Sequence, residues 1–130
     1  MKLISAGIII KNNKVLVCQR KSGSYYGLKW EFPGGKKETG ETIEESLIRE
    51  LKEELDIDIQ IGQEFYVDRH KYPDGFEFEI HFYTVFNYTG IEKNKVFEQI
   101  EWADINSLQD YDFLEADKNI IRLIIEKFSN

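Results

Sequence analysis

The chain has few of the residues that cross-link or stiffen a small protein. Of its 130 residues, one is cysteine and two are proline. The single cysteine, Cys18, cannot form an intramolecular disulfide, so a reducing cytoplasm is the simplest setting for this protein. Because it lies within a β-rich run, Cys18 is interpreted as a small hydrophobic side chain of a strand.

Long apolar runs are also missing. The apolar stretch at residues 3–10 is far shorter than a membrane span and has no convincing signal-peptide cleavage site. It is therefore predicted to be a buried first strand, and no membrane partner is expected. The two histidines, His70 and His81, lack a nearby partner motif for zinc, and neither is assigned a catalytic role.

Positive charge is in deficit. The chain carries 17 basic and 24 acidic residues, which gives a formal net charge of −7. This balance argues against a protein that grips nucleic-acid polymers through a general basic surface. A small anionic ligand is compatible with it, provided that side chains or a bound metal concentrate positive charge locally.

Enough apolar residues are present for one substantial core. At 130 residues and 42% hydrophobic composition, the chain is too short for two ordinary domains, so one domain spanning residues 1–130 is expected. Two β-rich runs, residues 3–10 and 15–20, flank Asn12-Asn13, and asparagine tolerates the positive φ angles of a tight turn. A β-hairpin is therefore predicted to open the domain.

The next segments predict a loop, a short strand and a helix. Residues 21–28 are rich in Ser, Gly and Tyr, and the short strand after them is expected to stop at a glycine turn, Gly34-Gly35. Thr42 and Glu45 fit a capping box. Apolar residues then recur every fourth position, which predicts a helix over about residues 43–55.

The second half of the chain predicts more strands and a final helix. Residues 57–69, 76–87 and 98–103 are interpreted as strands, with Phe76, Phe78, Ile80 and Phe82 on the core face of the second. Residues 116–128 place Ile120, Ile121, Ile124 and Phe128 on one helical stripe. Strands mixed with two helices indicate an α/β layered fold.

Three carboxylates on the first predicted helix form the strongest chemical signal. Glu50, Glu53 and Glu54 are spaced i, i+3 and i+4, so they project from neighbouring positions on one face. An acidic helix face is usually only a solvated surface. Here, however, like charges repel one another near the negative end of the helix dipole, and a divalent cation would relieve both penalties. Carboxylate oxygens are the ligands that Mg²⁺ prefers.

Two neighbouring features fit a metal site. Arg49 lies four residues before Glu53, where it forms either an ordinary helical ion pair or a two-point clamp that holds a carboxylate in position. Gly34-Gly35 allows the backbone to approach a ligand closely, so a carbonyl there can reach a metal held by the helix.

The combined spacing resembles the Nudix box. It runs Gly35, five residues, Glu41, seven residues, Arg49-Glu50-Leu51, one residue, Glu53-Glu54, one residue, Asp56-Ile57. Eight of the nine restricted positions of that signature match, and Asp56 stands where glycine is expected. Aspartate tolerates positive φ, so a strained helix cap is predicted at Asp56 without loss of the chemistry.

Residues 30–36, Trp-Glu-Phe-Pro-Gly-Gly-Lys, are also similar to the MutT-type branch of this family. The resemblance implies a Nudix-like α/β/α sandwich with a mixed sheet and two main helices. It further implies hydrolysis of a nucleoside triphosphate to a monophosphate and pyrophosphate. Mg²⁺, or Mn²⁺ as a substitute, would be held by the Gly34 carbonyl, Glu50, Glu53 and Glu54, with Glu53 or Glu54 near the attacking water.

The resemblance also implies roles outside the box. Glu98 lies where this branch supplies a further catalytic carboxylate, with Glu92 and Glu101 as rivals for the place; otherwise Glu98 is a solvated acid of a loop. Arg20 takes the place of a phosphate-contacting arginine; otherwise it is a solvated strand-end charge. Lys36 is counted among the substrate-binding residues.

Base recognition is implied at three further positions. Asp117 aligns with a base-reading Asn or Asp, although it could cap the last helix instead or as well. Phe32 and Phe76 are candidates for stacking on a base, although aromatic residues in strands are more often core residues. The turn at Gly75 lacks the arginine that helps the guanine-oxidation enzymes to read their base, and Asp117 is aspartate rather than asparagine. A strict preference for 8-oxo-dGTP is therefore not expected, and CTP or a modified dCTP is a plausible substrate.

A noncatalytic nucleotide-binding or regulatory module is the main competing hypothesis, because a fold can persist after its chemistry is lost. A second competing hypothesis is a Nudix hydrolase that acts on another nucleoside diphosphate-linked substrate. Intact Arg49, Glu50, Glu53 and Glu54 favour an active enzyme. The sequence is compatible with either a monomer or a homodimer.

Overall fold

The first strand is the centre of the sheet. In the computed structural model, which describes residues 1–129, β1 (Lys2–Lys11) pairs antiparallel with β2 (Lys14–Gln19). The turn between them places Asn12 and Asn13 at φ 52° and 62°. Two successive positive φ angles are the geometry of the hairpin turn that matches strand twist. The predicted opening hairpin is confirmed.

Seven further strands follow: β3 (Trp30–Glu31), β4 (Gly34–Lys36), β5 (Asp58–Gln60), β6 (Glu64–Lys71), β7 (Glu77–Val85), β8 (Asn87–Thr89) and β9 (Gln99–Asp104). The main sheet has the order β3-β2-β1-β7-β6, while β4 pairs with β1 and β9 pairs with β2. β1 and β7 are parallel, whereas the other pairings of the main sheet are antiparallel. β5 and β8 form a separate two-stranded sheet.

Two helices cover the two faces of the main sheet. Leu47, Leu51 and Leu55 of α1 (Ile43–Leu55) pack with Ile9 and Leu16 in one buried cluster. The isoleucines of α2 (Lys118–Phe128) pack with Ala6 and Ile8 in another. Neighbouring residues of β1 therefore supply opposite cores, as the twofold period of a strand requires. The predicted α/β/α sandwich with a mixed sheet is confirmed.

Both ends of α1 match the sequence prediction. Thr42 Oγ1 accepts a hydrogen bond from the Glu45 N–H at 3.0 Å, and Glu45 accepts one from the Thr42 N–H at 2.8 Å. The helix ends at Asp56, whose φ of 58° and ψ of 37° are left-handed. Aspartate thus adopts the conformation for which the signature uses glycine.

Several predicted boundaries were wrong. Gly34-Gly35 is not a simple turn, because both residues belong to β4 and pair with β1. The predicted strand at 57–69 is broken into β5 and β6, since Gly62 and Gln63 leave the ladder to bond Thr84. The predicted strand at 76–87 divides at Phe86, where β7 ends before β8 begins.

Burial on β7 also differs from simple alternation. Phe76 precedes the strand and is 38% exposed, whereas Tyr83, on the predicted outer face, is 4% exposed beneath α1. The reason is that α1 covers this end of the sheet, so both faces are buried there. Among residues 1–129, no helix is long and apolar enough to cross a membrane.

Candidate active site

A cavity of about 700 Å³ lies beside β1 and β4 and extends to the turn between β6 and β7. Its charged lining residues are Arg20, Glu31, Lys36, Glu54, Asp74 and Asp117. Its aromatic lining residues are Tyr25, Tyr26, Phe32, Tyr72, Phe76 and Phe78. A concave site with an aromatic wall and a few convergent charges is typical of small-molecule binding.

The glycines of β4 allow α1 to approach one edge of this cavity. A Cβ atom on Gly34 would overlap the Ser5 carbonyl oxygen, and one on Gly35 would overlap the Glu50 carboxyl group. The Gly34 N–H donates a hydrogen bond to Glu54 at 3.2 Å. Gly34 and Gly35 therefore permit contact between strand backbone and helix carboxylates.

The two inner carboxylates of α1 occupy an environment that disfavours their charge. Burial, reinforced by Glu50 and Glu31, raises the pKa of Glu54 to about 9. Burial also raises the pKa of Glu50, against the opposing effect of Arg49. Both effects follow from placing like charges together away from water.

Arg49 organises the outer side of this acidic cluster. Its Nε and Nη2 donate to the two oxygens of Glu41 at 3.0 and 2.8 Å. Nη1 donates to Glu50 at 2.8 Å and to Glu53 at 3.3 Å, and Nη2 also donates to the Lys36 carbonyl. The guanidinium thus ties the helix to β4 and the preceding loop by a two-point clamp.

The three predicted metal-binding acids are not equivalent. Glu50 and Glu54 face β4, while the Glu53 side chain is 60% exposed and reaches Arg49. No group of three His, Cys, Asp or Glu residues within residues 1–129 is already arranged as a metal cage. The donor set nevertheless fits a hard divalent cation, because Mg²⁺ takes few protein oxygens and retains waters and phosphate oxygens.

Arg20 and Glu31 form a partly buried ion pair, of which sequence reasoning identified only Arg20. Arg20 Nη1 lies 3.1 Å from Glu31 Oε1, and both residues line the cavity. Burial raises the pKa of Glu31, while Arg20 opposes that rise. Glu31 lies within the MutT-like segment at residues 30–36, but its contact with Arg20 forms only when β2 and β3 pair.

Asp117 lies on the floor of the cavity and does not cap α2 through its side chain. It is the residue before the helix, yet its carboxylate makes no capping hydrogen bond. Instead it is 5% exposed and lies near the Phe32 N–H, which favours the charged form of the carboxyl group. Burial, with a further contribution from Glu31, raises the pKa of Asp117 well above its usual value. The capping alternative is therefore wrong.

The other predicted substrate residues divide by exposure. Phe32 is 4% exposed and its ring stacks on Phe113 at 5.1 Å, so it is mainly a core residue with an edge at the cavity. Phe76 is half-exposed and lies 5.9 Å from the Lys2 ammonium. Lys36 lies at the rim, in β4.

Glu98 lies just before β9, outside the cavity lining. Its carboxylate accepts a hydrogen bond from the Ser22 N–H at 3.1 Å, on the loop that follows Arg20. Of its rivals, Glu92 accepts hydrogen bonds from Trp102 and Tyr88, and Glu101 lies near Tyr111, whose pKa it raises in addition to the effect of burial. These contacts engage Glu92 and Glu101 elsewhere and leave Glu98 nearest to the Arg20 loop.

Residues 1–124 match the family model described as the NUDIX domain. The 8-oxo-dGTP diphosphatase of Escherichia coli (strain K12) is 34% identical over 119 residues, which cover 91% of this chain and 92% of that protein. The CTP pyrophosphohydrolase of the same strain is 31% identical over 119 residues, covering 90% of this chain and 87% of that protein.

A solved structure supports the same assignment. The solution structure of the E. coli ORF135 protein matches with a TM-score of 0.87 and 26% identity, covering 98% of this chain and 91% of that one. The chain belongs to the Nudix hydrolase family.

Proposed function

We propose that this protein is a divalent-metal-dependent pyrophosphohydrolase that converts a nucleoside triphosphate to its monophosphate and pyrophosphate. The observation that carries the proposal is the continuity of one cavity. Glu54, beside the glycine strand, and Asp117, on the opposite floor, line the same space of about 700 Å³. A triphosphate at the first end and a base at the second would fit such a site.

The phosphate end is assigned to α1 and β4. Glu50, Glu53, Glu54 and the Gly34 carbonyl would hold Mg²⁺, with Mn²⁺ as a substitute, and the ion would offset phosphate charge and orient water. The N–H and C=O of one strand residue lie on the same edge. Since the Gly34 N–H bonds Glu54, its carbonyl belongs on the side that faces α1.

The chain's own side chains then have separate tasks. Arg49 holds Glu50 and Glu41 in place through charged hydrogen bonds. Glu53, the most exposed of the three acids, would lie near the attacking water. Arg20 and Lys36 at the cavity would contact phosphate oxygens, and Glu98 would add a carboxylate from the loop before β9. An acidic chain thereby presents local positive charge to an anionic substrate.

Two relatives suggest which nucleotides to test. One is named for 8-oxo-dGTP and the other for CTP. The turn around Gly75 carries Tyr72, Asp74 and Phe76 and no arginine. This composition favours a test that includes pyrimidine triphosphates as well as the oxidised purine.

The experiment is a nucleotide panel with product identification. Purified protein is incubated with Mg²⁺ and with CTP, modified dCTP, 8-oxo-dGTP, the common triphosphates and a nucleoside diphosphate sugar. Monophosphate plus pyrophosphate is the expected product, and a chelator should abolish turnover. Release of inorganic phosphate, or cleavage of the sugar nucleotide alone, would overturn the proposal. Binding without turnover of any nucleotide would indicate the regulatory module instead.

A further inference from the structure

The segment between β8 and β9, residues 90–98, is attached to the carboxyl end of α1. The Lys93 N–H donates a hydrogen bond to the Leu55 carbonyl at 2.8 Å, and the Lys95 N–H donates one to the Glu54 carbonyl at 3.1 Å. The last carbonyls of a helix have no partner within the helix, and these two amides satisfy two of them. The segment is therefore bound to the turn of α1 that carries Glu54.

A single side chain fixes the path of the segment after this attachment. Asn94 Oδ1 accepts a hydrogen bond from the Phe97 N–H at 2.8 Å, and Asn94 Nδ2 donates one to the Phe97 carbonyl at 2.9 Å. Because a carboxamide offers both a donor and an acceptor, Asn94 pairs with both backbone groups of Phe97, as a neighbouring strand would. Phe97 is 6% exposed and belongs to the same buried cluster as Leu51 and Leu55 of α1. The main chain directly before Glu98 is thereby held in place.

Glu98, the next residue, begins the contact with β2. Its N–H donates to the Gln19 carbonyl at 2.8 Å, and its carboxylate accepts a hydrogen bond from the Ser22 N–H. Glu98 is three residues after Lys95, so its Cα atom lies within about 11 Å of the Lys95 Cα atom. The main chain of Glu98 is thus restrained on both sides, by β2 and by the segment that Asn94 organises.

Core packing does not account for Asn94. The residue is exposed, and the buried member of the pair is Phe97. An irregular surface segment normally opens more readily than the sheet and helices around it. Here one side chain restrains such a segment between two residues whose carboxylates have a task in the proposed reaction, Glu54 and Glu98.

We infer that Asn94 is a positioning residue, which sets the place of the Glu98 carboxylate relative to the acids of α1. The inference rests on the proposed function for the role of Glu98. Glu98 lies outside the cavity lining and bonds Ser22, so it serves the reaction only when its side chain leaves Ser22 and turns towards α1. A fixed main chain gives this turn one end point. Precision matters there, because a misplacement of about 1 Å at a reacting centre can cost about a hundredfold in rate.

The test is a double-mutant cycle between Asn94 and Glu98. Asn94→Ala should lower kcat for nucleoside triphosphates about tenfold, with KM changed less than twofold because Asn94 lies outside the cavity lining. In the Glu98→Gln background the same replacement should lower kcat by less than twofold, since a residue that acts through Glu98 then has no carboxylate to position. Equal losses in the two backgrounds, or full activity of Glu98→Gln, would overturn the inference.

Thr84→Val is the matched control for the lost hydrogen bonds. Thr84 Oγ1 accepts from the Gln63 N–H at 3.0 Å and donates to the Gln63 carbonyl at 3.4 Å, so this variant also frees both backbone groups of one residue. Thr84 is buried and lies outside the cavity lining. Thr84→Val should lower Tm at least as much as Asn94→Ala does and keep kcat within twofold. A similar fall of kcat in both variants would overturn the inference, because general loss of stability would then explain it.

Amide hydrogen exchange separates this inference from the proposed function, since it needs neither substrate nor metal. The Lys95 and Glu98 amides are both bonded to carbonyls of other elements. Asn94→Ala should accelerate the exchange of both amides at least tenfold, whereas Thr84→Val should leave them unchanged. Faster exchange at both amides supports the inference even if the wild type hydrolyses no triphosphate, since the proposed function then fails alone. Unchanged exchange in Asn94→Ala would overturn the inference.

Discussion

The Glu50 carboxyl group occupies the space that a side chain at Gly35 would fill. A Cβ atom built on Gly35 overlaps that carboxyl group, so β4 and α1 meet where only a hydrogen atom fits. Glu50 is held there by Arg49 at 2.8 Å. The position of a proposed metal ligand therefore depends on a residue without a side chain.

Gly35→Ala should displace Glu50 and lower kcat/KM by about a hundredfold, comparable to the loss of a second-layer contact at a metal site. Gly40→Ala is the contrasting control, because a Cβ there meets nothing within 4 Å but the φ is +89°. That variant should lose about 1 kcal/mol of stability and keep its turnover. Steady-state kinetics and urea unfolding of both proteins check the pair. Full activity of Gly35→Ala would show that catalysis does not depend on the close approach of β4 to α1.

The end of α1 and its capping box could be predicted because their determinants are local. Thr42, Glu45 and Asp56 specify the helix within its own segment. The break between β5 and β6 could not, because it depends on bonds from Gly62 and Gln63 to Thr84. Hydrogen bonds between residues that are 21 positions apart do not change the local periodicity of apolar residues.

The residues of the candidate site also divide into those that local spacing predicts and those that depend on distant contacts. The acids of α1 were recognisable from their spacing, since i, i+3 and i+4 positions share a helix face. Glu31 was missed because its burial arises only when β2 and β3 bring it to Arg20. Tyr26 lines the cavity, but no local pattern marks it, since its ring partner Tyr72 lies on another turn.

Glu53→Gln should keep the fold and lower kcat by at least about a hundredfold, because it removes one charge with little change in volume. Little stability should be lost, since the side chain is 60% exposed and its ion pair with Arg49 is an i,i+4 surface contact. Glu126→Gln is the matched control, being 65% exposed and paired i,i+4 with Arg122. Thermal unfolding and single-turnover kinetics compare the two variants. Unaltered turnover in Glu53→Gln would exclude that residue from catalysis.

Glu54→Gln should abolish the stabilisation of the protein by Mg²⁺. A cation that binds only the folded state at ten times its Kd adds about 1.4 kcal/mol, which is a few degrees of Tm for a chain of this size. The wild type should show this shift, and a chelator should reverse it. Differential scanning calorimetry with and without Mg²⁺ measures the effect. An equal shift in the variant would mean that Glu54 holds no metal.

Arg49→Lys should lower the stability of the protein at neutral pH as well as its activity. Hydrogen bonding by Arg49 lowers the pKa of Glu41 to about 2 from 4.5. A depressed carboxyl pKa stabilises the fold above pH 4.5, and this stabilisation is lost as the pH falls towards 2. Lysine keeps the charge but not the two-point contact, so the Tm difference from wild type should be largest above pH 4.5 and vanish near pH 2. A constant difference across that window would contradict the assignment.

Asp117→Asn should stabilise the protein at neutral pH and preserve its order of substrates. Burial raises the pKa of Asp117, so the folded protein binds a proton more tightly there and its stability falls as the pH rises above the ordinary value of 3.8. Asparagine escapes this penalty and still presents an oxygen atom near the Phe32 N–H. Urea unfolding should therefore show a gain of at least about 1 kcal/mol at pH 7.5 and almost none at pH 3.5.

The corresponding truncation separates base reading from packing. Asp117→Ala removes both hydrogen-bonding atoms from the cavity floor, so kcat/KM should fall by different factors for different bases and change the ranking of substrates. Asparagine retains a donor and an acceptor, as a neutral carboxyl does, and should keep the ranking. Because the side chain makes no capping bond to α2, loss of a helix cap cannot produce either result. A uniform loss on every triphosphate in Asp117→Ala would assign the residue to packing of the cavity floor.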